Sequence, residues 1–195
     1  MYYLNQIEWI SYLVNKILKY IPNKCTLTVY DVDYISLYSQ GKRFILFDLD
    51  NTLAPYDEVI MSTKVKDFLD SLKQIGFKVA IVSNNNSKRI SKYLNGYDIP
   101  FVSRALKPYL RGYKIMEKIL GYPKKEEVIT VGDQLLTDVC GSKTFGYDVI
   151  LVKSIKRKNE LWYTKINRKR SKSILKKIKK IDEQMYNEIK LVDEE

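Results

Sequence analysis

Two carboxylates stand two residues apart in the segment FDLDNT, directly after a short apolar run. They are Asp48 and Asp50, and the run before them covers residues 44–47. Carboxylates this close repel one another, and a metal ion, a shared proton or a catalytic task usually offsets the repulsion. On an extended segment, residues i and i+2 point the same way, so both carboxylates can reach one site while Leu49 turns inward. This pair is the first candidate for chemistry.

Further polar side chains follow this run and the other apolar runs of the chain. They are Thr52, Ser83, Asn84, Lys107, Asp133 and Asp138. Ligands of open α/β sheets bind beyond the carboxyl ends of the strands, so we expect these groups at one edge of a sheet. Carboxylates can attack phosphorus or hold Mg²⁺, and hydroxyl, amide and ammonium groups can stabilise a transferring phosphoryl group. The set predicts phosphoryl transfer.

The composition narrows the chemistry. The chain of 195 residues has no histidine, which excludes catalytic triads and zinc sites built on imidazole. Acid–base work then falls mainly to carboxylates. Cys25 and Cys140 form no metal-ligand spacing, and the N-terminal segment has no features of a secretory signal, so we expect a reduced, cytoplasmic setting.

The order of apolar runs and helical segments predicts an α/β fold. Strands are expected at 44–47, 78–83, 128–132 and 148–152, with a weaker one at 100–103, and helical patterns lie between them. This alternation is typical of a Rossmann-like, doubly wound parallel sheet of about five strands. Amphipathic helices are predicted at both ends, over 3–20 and 172–190.

The charge divides the chain into two parts. The net charge is +11, but residues 153–180 alone carry +12, residues 181–195 carry −5, and residues 1–152 carry only +4. We therefore expect a domain over 1–152 and a basic, mainly helical extension over 153–195. A segment this basic could bind nucleic acid or anionic lipid headgroups, or could be a solvated surface.

Four stretches, DLDNT, VSNN, LKP and GDQLLTD, resemble in that order the motifs of the haloacid dehalogenase superfamily of phosphatases. The resemblance covers about residues 42–152 and is greatest to subfamily IIIA phosphatases of the YqeG type. It implies that Asp48 is the nucleophile and a Mg²⁺ ligand. It also implies that Asp50 is the general acid and base, with its backbone carbonyl on the metal.

The same resemblance assigns roles to the remaining site residues. Thr52 would order the loop after the first strand, and Ser83 with the amide of Asn84 would bind the phosphate. Lys107 would neutralise Asp48 and the phosphoryl oxygens. A last set of roles concerns the metal: Asp133 would be a second carboxylate ligand, and Asp138 would support it directly or through water.

The spacing of the motifs predicts an enzyme without a cap domain. Residues 53–82 leave room for one loop and one helix, and residues 84–106 leave room for a helix and a strand, but neither gap can hold a folded domain. Superfamily members without a cap tend to act on phosphates attached to proteins, nucleic acids or lipids. The resemblance extends to mitochondrial phosphatidylglycerophosphate phosphatases, so a lipid phosphate and peripheral contact with an anionic membrane are expected.

Two other functions compete with this interpretation. The basic extension is also consistent with a binding protein associated with nucleic acid or ribosomes, which is the less favoured alternative. A receiver-like phospho-acceptor would also gather carboxylates, a hydroxyl and a lysine at strand ends. Asp50 speaks against it, because a second carboxylate placed for acid–base work favours turnover over a stable phosphoryl group.

Overall fold

The fold is built around one six-stranded parallel sheet. The computed structural model describes Val14, residues 16–155 and residues 162–193. The strands are β1 (Lys24–Thr26), β2 (Phe44–Phe47), β3 (Lys78–Val82), β4 (Phe101–Val102), β5 (Val128–Gly132) and β6 (Asp148–Val152). Their order across the sheet is β1-β6-β5-β2-β3-β4, and every neighbouring pair is parallel. The predicted Rossmann-like fold is confirmed.

Helices cover both faces of this sheet. They are α1 (Tyr34–Ser39), α2 (Thr63–Ile75), α3 (Ser87–Leu94), α4 (Arg111–Ile119), α5 (Cys140–Phe145), α6 (Trp162–Ile181) and α7 (Glu183–Asp193). A π-helical turn, Leu135–Val139, leads directly into α5. Within residues 16–155, only loops and single helices separate β2 from β3 and β3 from β4, so no cap domain interrupts the sheet there.

Alternation along β2 shows how the two faces are filled. Ile45 and Phe47 pack with the α2 and α3 side chains on one face, whereas Phe44 and Leu46 pack with Tyr113 and other residues on the opposite face. All four β2 residues are buried. This strand is the centre of both cores, and its carboxyl end is therefore a firmly supported position for functional groups.

Helix α2 shows how the local sequence determines which face of a helix is buried and where the helix ends. Its apolar stripe, including Val65, Leu69 and Leu72, is buried on the sheet. Gly76 ends the helix in the left-handed conformation, with φ of 113°, as a glycine after a helix allows. Ser62 occupies the N-cap position, but its side chain makes no capping hydrogen bond.

Two predictions at the chain ends need correction or fall outside the structure. The expected single helix over 172–190 is wrong, because the structure has two helices there, separated at Asp182. The Asp182 carboxylate accepts a hydrogen bond from the Met185 N–H at 2.8 Å and so caps the start of α7. Most of the predicted N-terminal helix over 3–20 lies outside the described residues. Its end is helical through Leu18, just before Pro22.

The sixth strand was not predicted. Strand β1 is only three residues long and lies at the edge of the sheet, paired with β6 alone. Its residues Lys24, Cys25 and Thr26 are exposed or half-buried, so the sequence has no apolar run there. Edge strands of this kind carry little of the pattern on which strand prediction depends.

The last two helices pack on the body of the protein through their apolar residues. Leu175, Ile178, Ile189 and Val192 are buried in one cluster with residues of β6 and of the π-helical turn. The described lysines of α6 are exposed: Lys172, Lys176, Lys177, Lys179 and Lys180. Among the described residues, no helix has the length and hydropathy needed to cross a bilayer.

Candidate active site

Lys107 and three of the aspartates predicted from sequence, Asp48, Asp133 and Asp138, come together beyond the carboxyl ends of β2 and β5. Asp48 follows β2 and its backbone N–H donates to the Val131 carbonyl at 2.9 Å, which continues the ladder with β5. The Lys107 ammonium donates to Asp48 Oδ1 at 2.7 Å and to Asp138 Oδ1 at 2.6 Å. These three side chains are at most 10% exposed, so they form a buried ion triad.

A third carboxylate completes the cluster. One carboxylate oxygen from each of Asp48, Asp133 and Asp138 lies within 4.8 Å of the other two, an arrangement that could hold a metal ion. The oxygen ligands fit a hard divalent cation, since Mg²⁺ and Ca²⁺ prefer carboxylate oxygen. Asp138 is held in place by the Gln134 N–H, which donates to its Oδ2 at 3.1 Å.

Gly132 allows Asp138 to approach β5 closely. A methyl group at position 132 would lie 2.4 Å from the Asp138 Cγ, far closer than atoms can pack. The π-helical turn carries Asp138 back over the end of the strand, and only a residue without a side chain leaves room for it. The glycine in the GDQLLTD stretch is therefore a requirement of carboxylate packing.

The charges in this cluster shift one another's protonation. Burial raises the pKa of the Asp48 carboxyl well above its usual range; Lys107 lowers it, while Asp138 and Asp133 raise it further. Burial lowers the pKa of the Lys107 ammonium, but Asp138 and Asp48 raise it above its usual value. One cation thus faces three carboxylates, and a second cation would offset the remaining repulsion.

Asp50 faces a different set of partners. Its Oδ1 accepts hydrogen bonds from Arg89 Nε at 3.2 Å and pairs with Arg89 Nη2 at 3.0 Å, and its Oδ2 accepts from Asn85 Nδ2 at 3.0 Å. Leu49 between the two aspartates is fully buried, as the alternation predicts. Asp48 and Asp50 lie on either side of this buried leucine, but they belong to two separate ion pairs.

The loop after β2 is shaped by its backbone. Asn51 has a φ of 66° and its N–H donates to the Ala54 carbonyl at 2.6 Å. Asparagine tolerates this left-handed conformation better than most residues. Thr52 is buried in the same turn, and its N–H donates to the Leu49 carbonyl at 3.3 Å. The Asn51 carbonyl accepts from the Ile155 N–H at 2.9 Å, which ties the loop to the segment after β6.

Ser83 and Asn84 connect β3 to the lysine. Ser83 is buried, and its Oγ accepts from the Asn85 N–H at 3.1 Å. The Asn84 side chain makes two hydrogen bonds to the backbone of Lys107. Its Nδ2 donates to the Lys107 carbonyl at 3.1 Å, and its Oδ1 accepts from the Lys107 N–H at 2.6 Å. The Asn84 side chain thus positions the residue that bears the buried ammonium.

Sequence reasoning missed two of the residues around the site. Arg89 and Asn85 both bind Asp50, yet neither was assigned to the site from sequence. An arginine in the first turn of a helix is usually solvated, and Asn85 stands in a run of asparagines that could simply cap the following helix. The third asparagine of the SNNN stretch, Asn86, has the structural role expected of such residues: its Oδ1 accepts from the Arg89 N–H at 2.9 Å and caps α3.

The relatives of the chain place it among the phosphatases of the haloacid dehalogenase superfamily. The model of a family described as "Mitochondrial PGP phosphatase" matches residues 5–156, and the chain belongs to this family. It is also 31% identical over 161 residues to "Probable phosphatase YqeG" of Bacillus subtilis, a match that spans 83% of this chain and 92% of the relative.

Solved structures with a similar fold are more distant. A crystal structure of an uncharacterized protein from Listeria monocytogenes serotype 4b has 22% identity and a TM-score of 0.49, over 61% of this chain and 84% of that one. The 3-deoxy-D-manno-octulosonate 8-phosphate phosphatase of Moraxella catarrhalis, solved with magnesium, phosphate and KDO, has 16% identity and a TM-score of 0.42, over 74% and 91% of the two chains.

Proposed function

We propose that this phosphatase hydrolyses phosphate monoesters with Mg²⁺ as its cofactor and Asp48 as its nucleophile. The observation that carries the proposal is the buried cluster in which Lys107 joins Asp48 to Asp138, with Asp133 within reach of both carboxylates. Burying three carboxylates next to one another costs free energy through desolvation and mutual repulsion, and a purely structural role does not explain that cost.

The proposed reaction has two steps. An Asp48 carboxylate oxygen attacks phosphorus, the bond to the ester oxygen breaks, and Asp50 gives that oxygen its proton. Asp50 then takes a proton from water, the water oxygen attacks the phosphorus of the aspartyl-phosphate, and the Asp48 carboxylate leaves as phosphate is released. Lys107, which stays charged, balances the negative charge that gathers on the phosphoryl oxygens in both steps.

The other predicted residues take supporting roles in this proposal. Ser83 and the backbone amide of Asn84 bind the phosphoryl oxygens, and Thr52 keeps the loop after β2 in shape. Asp48, Asp133 and Asp138, with the Asp50 carbonyl, would hold Mg²⁺. The ion supplies positive charge that offsets the carboxylates and the phosphoryl group.

We further propose that the substrate is phosphatidylglycerophosphate or a similar lipid phosphate at a membrane surface. The name of the family supports this, as does a sheet edge without a cap domain. The outer face of α6 adds a basic surface: Arg170, Lys172, Lys176, Lys177, Lys179 and Lys180 are all exposed. Because the apolar face of this helix is packed on the body, contact with anionic lipid would be electrostatic and peripheral. The other basic residues of the extension, over 156–169, have no described side chains.

The reaction class is tested by hydrolysis of 4-nitrophenyl phosphate with and without Mg²⁺. We expect metal-dependent turnover that Asp48→Asn abolishes. Asp67→Asn is the matched control, because Asp67 is an exposed aspartate on α2. Turnover by Asp48→Asn at the wild-type rate would contradict the nucleophile assignment.

The substrate is tested separately with phosphatidylglycerophosphate in mixed micelles. Failure to hydrolyse it, with normal activity on small esters, would exclude the lipid and leave the reaction class intact. The nucleic-acid alternative makes a different prediction: binding of RNA that weakens steeply with salt and survives Asp48→Asn.

A further inference from the structure

We propose that Arg89 is a positioning residue for Asp50, whose carboxyl group it holds in one orientation for the proton transfers of the proposed reaction. The inference rests on the proposed function, because it takes Asp50 as the general acid. It goes beyond the motif residues, since Arg89 belongs to none of the four stretches that carry the family resemblance.

The contact between the two side chains is close and shielded. Two nitrogens of the Arg89 guanidinium, Nε and Nη2, lie 3.2 and 3.0 Å from the same oxygen, Asp50 Oδ1. Each side chain is only 15% exposed. Charge-assisted contacts through two nitrogens restrict direction as well as distance. Asn85 Nδ2 holds the other carboxylate oxygen at 3.0 Å, so neither oxygen of Asp50 is left to rotate.

Arg89 itself is held by a rigid element. It lies in the first turn of α3, and its backbone N–H is bound by the Asn86 cap. Its guanidinium lies 5.3 Å from the centre of the Tyr93 ring, and Tyr93 is fully buried. Asp50, by contrast, stands in a loop next to the left-handed Asn51. The helix therefore fixes the orientation of a loop residue, the arrangement by which sites gain precision.

The orientation of Asp50 matters because the two charged sites are separate. Lys107 pairs with Asp48 and Asp138, whereas Asp50 pairs with Arg89. A general acid must lie within hydrogen-bonding distance of the leaving oxygen, and a small displacement lowers its contribution. Without Arg89, the Asp50 carboxyl would lose its strongest restraint while the Asp48 cluster stayed intact.

The test measures kcat/KM on two esters that differ in the leaving group. 4-Nitrophenyl phosphate releases a stable phenolate and needs little protonation, whereas glycerol 3-phosphate releases a basic alkoxide. We expect Arg89→Ala to lower kcat/KM ~100-fold on the alkyl ester and less than ~10-fold on the aryl ester, within the range of general acid catalysis. Asp50→Asn should show the same pattern with larger losses.

Three further variants make the result specific. Arg89→Lys keeps the charge without the fork of donors, so it should recover part of the alkyl-ester activity. Asn85→Ala removes the other donor to Asp50 and should show the same preference for the aryl ester, to a smaller extent. Lys92→Ala is the control: Lys92 is an exposed cation of α3 that lines the same surface cavity as Arg89, and its loss should affect both esters equally and little.

The outcomes separate this inference from the function on which it rests. A wild-type protein that hydrolyses neither ester would overturn the proposed function and the inference together. Unequal losses in Asp50→Asn with equal losses in Arg89→Ala would overturn the positioning role alone. Wild-type kcat/KM on both esters in Arg89→Ala would do the same.

Discussion

The Lys107 ammonium lies 2.7 Å from Asp48 Oδ1 and 2.6 Å from Asp138 Oδ1, so a single buried cation joins carboxylates from two strand ends. Its removal leaves two buried carboxylates without their partner. We expect Lys107→Met to lower the free energy of unfolding by about 3–5 kcal/mol without metal, as removing one partner of a buried ion pair does. Urea unfolding in EDTA measures this.

The same variant should recover part of its stability in Mg²⁺, because the metal ion would replace the lost positive charge. Lys66→Ala is the control, since Lys66 belongs to an exposed ion pair with Asp70 on α2 and its loss should change stability far less. An equal loss in both variants would show that the triad does not contribute as a buried charge cluster.

Asn84 should affect activity through Lys107. Its side chain makes two hydrogen bonds to the Lys107 backbone, and Asn84→Ala removes both while leaving the ammonium in the chain. We expect kcat/KM to fall ~10-fold or more, because a small displacement of a catalytic group has large effects on rate. Steady-state kinetics on 4-nitrophenyl phosphate measure it, with the exposed Asn187→Ala on α7 as the control. Unchanged kcat/KM would show that the loop holds Lys107 without this contact.

Binding of Mg²⁺ should weaken as the pH falls. Burial raises the pKa of Asp48 above its usual range, so in the absence of metal this carboxyl keeps its proton at a higher pH than an ordinary aspartate does. The metal binds the ionised form, and proton and metal therefore compete. Calorimetric titration from pH 8 downward should show the affinity falling well above the ordinary aspartate value of about 3.9. A binding constant that stays the same down to about pH 5 would contradict competition between the metal and a proton on Asp48.

The packing of the last two helices can be tested by stability. Ile178 is fully buried against β6 and the π-helical turn, so Ile178→Ala should lower the free energy of unfolding by about 2–5 kcal/mol. The neighbouring Lys177→Ala, on the exposed face, should change it by no more than about 0.5 kcal/mol. Thermal or urea unfolding separates these outcomes. Small and equal changes in the free energy of unfolding of the two variants would contradict the packing of α6 on β6 and the π-helical turn.

The centre of the fold could be predicted from sequence because its residues are buried on both sides. Strands β2, β5 and β6 read as continuous apolar runs, and polar residues follow them. Strand β1 could not be predicted, because three half-exposed residues at an edge depend on a neighbour for their conformation. The end of α6 at Asp182 could not be predicted for a related reason. The helical spacing of apolar residues continues across Asp182, and only the capping hydrogen bond marks the start of α7.

The candidate site divides in the same way. Asp48, Lys107, Asp133 and Asp138 could be brought together from sequence because each follows a strand of a parallel sheet. The contacts of Asp50 could not, since the distance from Asp50 to Arg89 depends on the turn of the loop and the angle of α3. The role of Gly132 is also a matter of shape, because it follows from the path of the π-helical turn over β5.

The central place of β2 in the sheet has a consequence for how the protein loses activity. The strand is bonded to β3 on one side and to β5 on the other, and the ladder continues through the Asp48 N–H. Brief local openings of the sheet begin at strands that are hydrogen-bonded on one side only, which are the edge strands β1 and β4. Amide protons of β2 should exchange with solvent only when the whole sheet opens, so the position of Asp48 at the end of this strand is lost only when the sheet unfolds cooperatively.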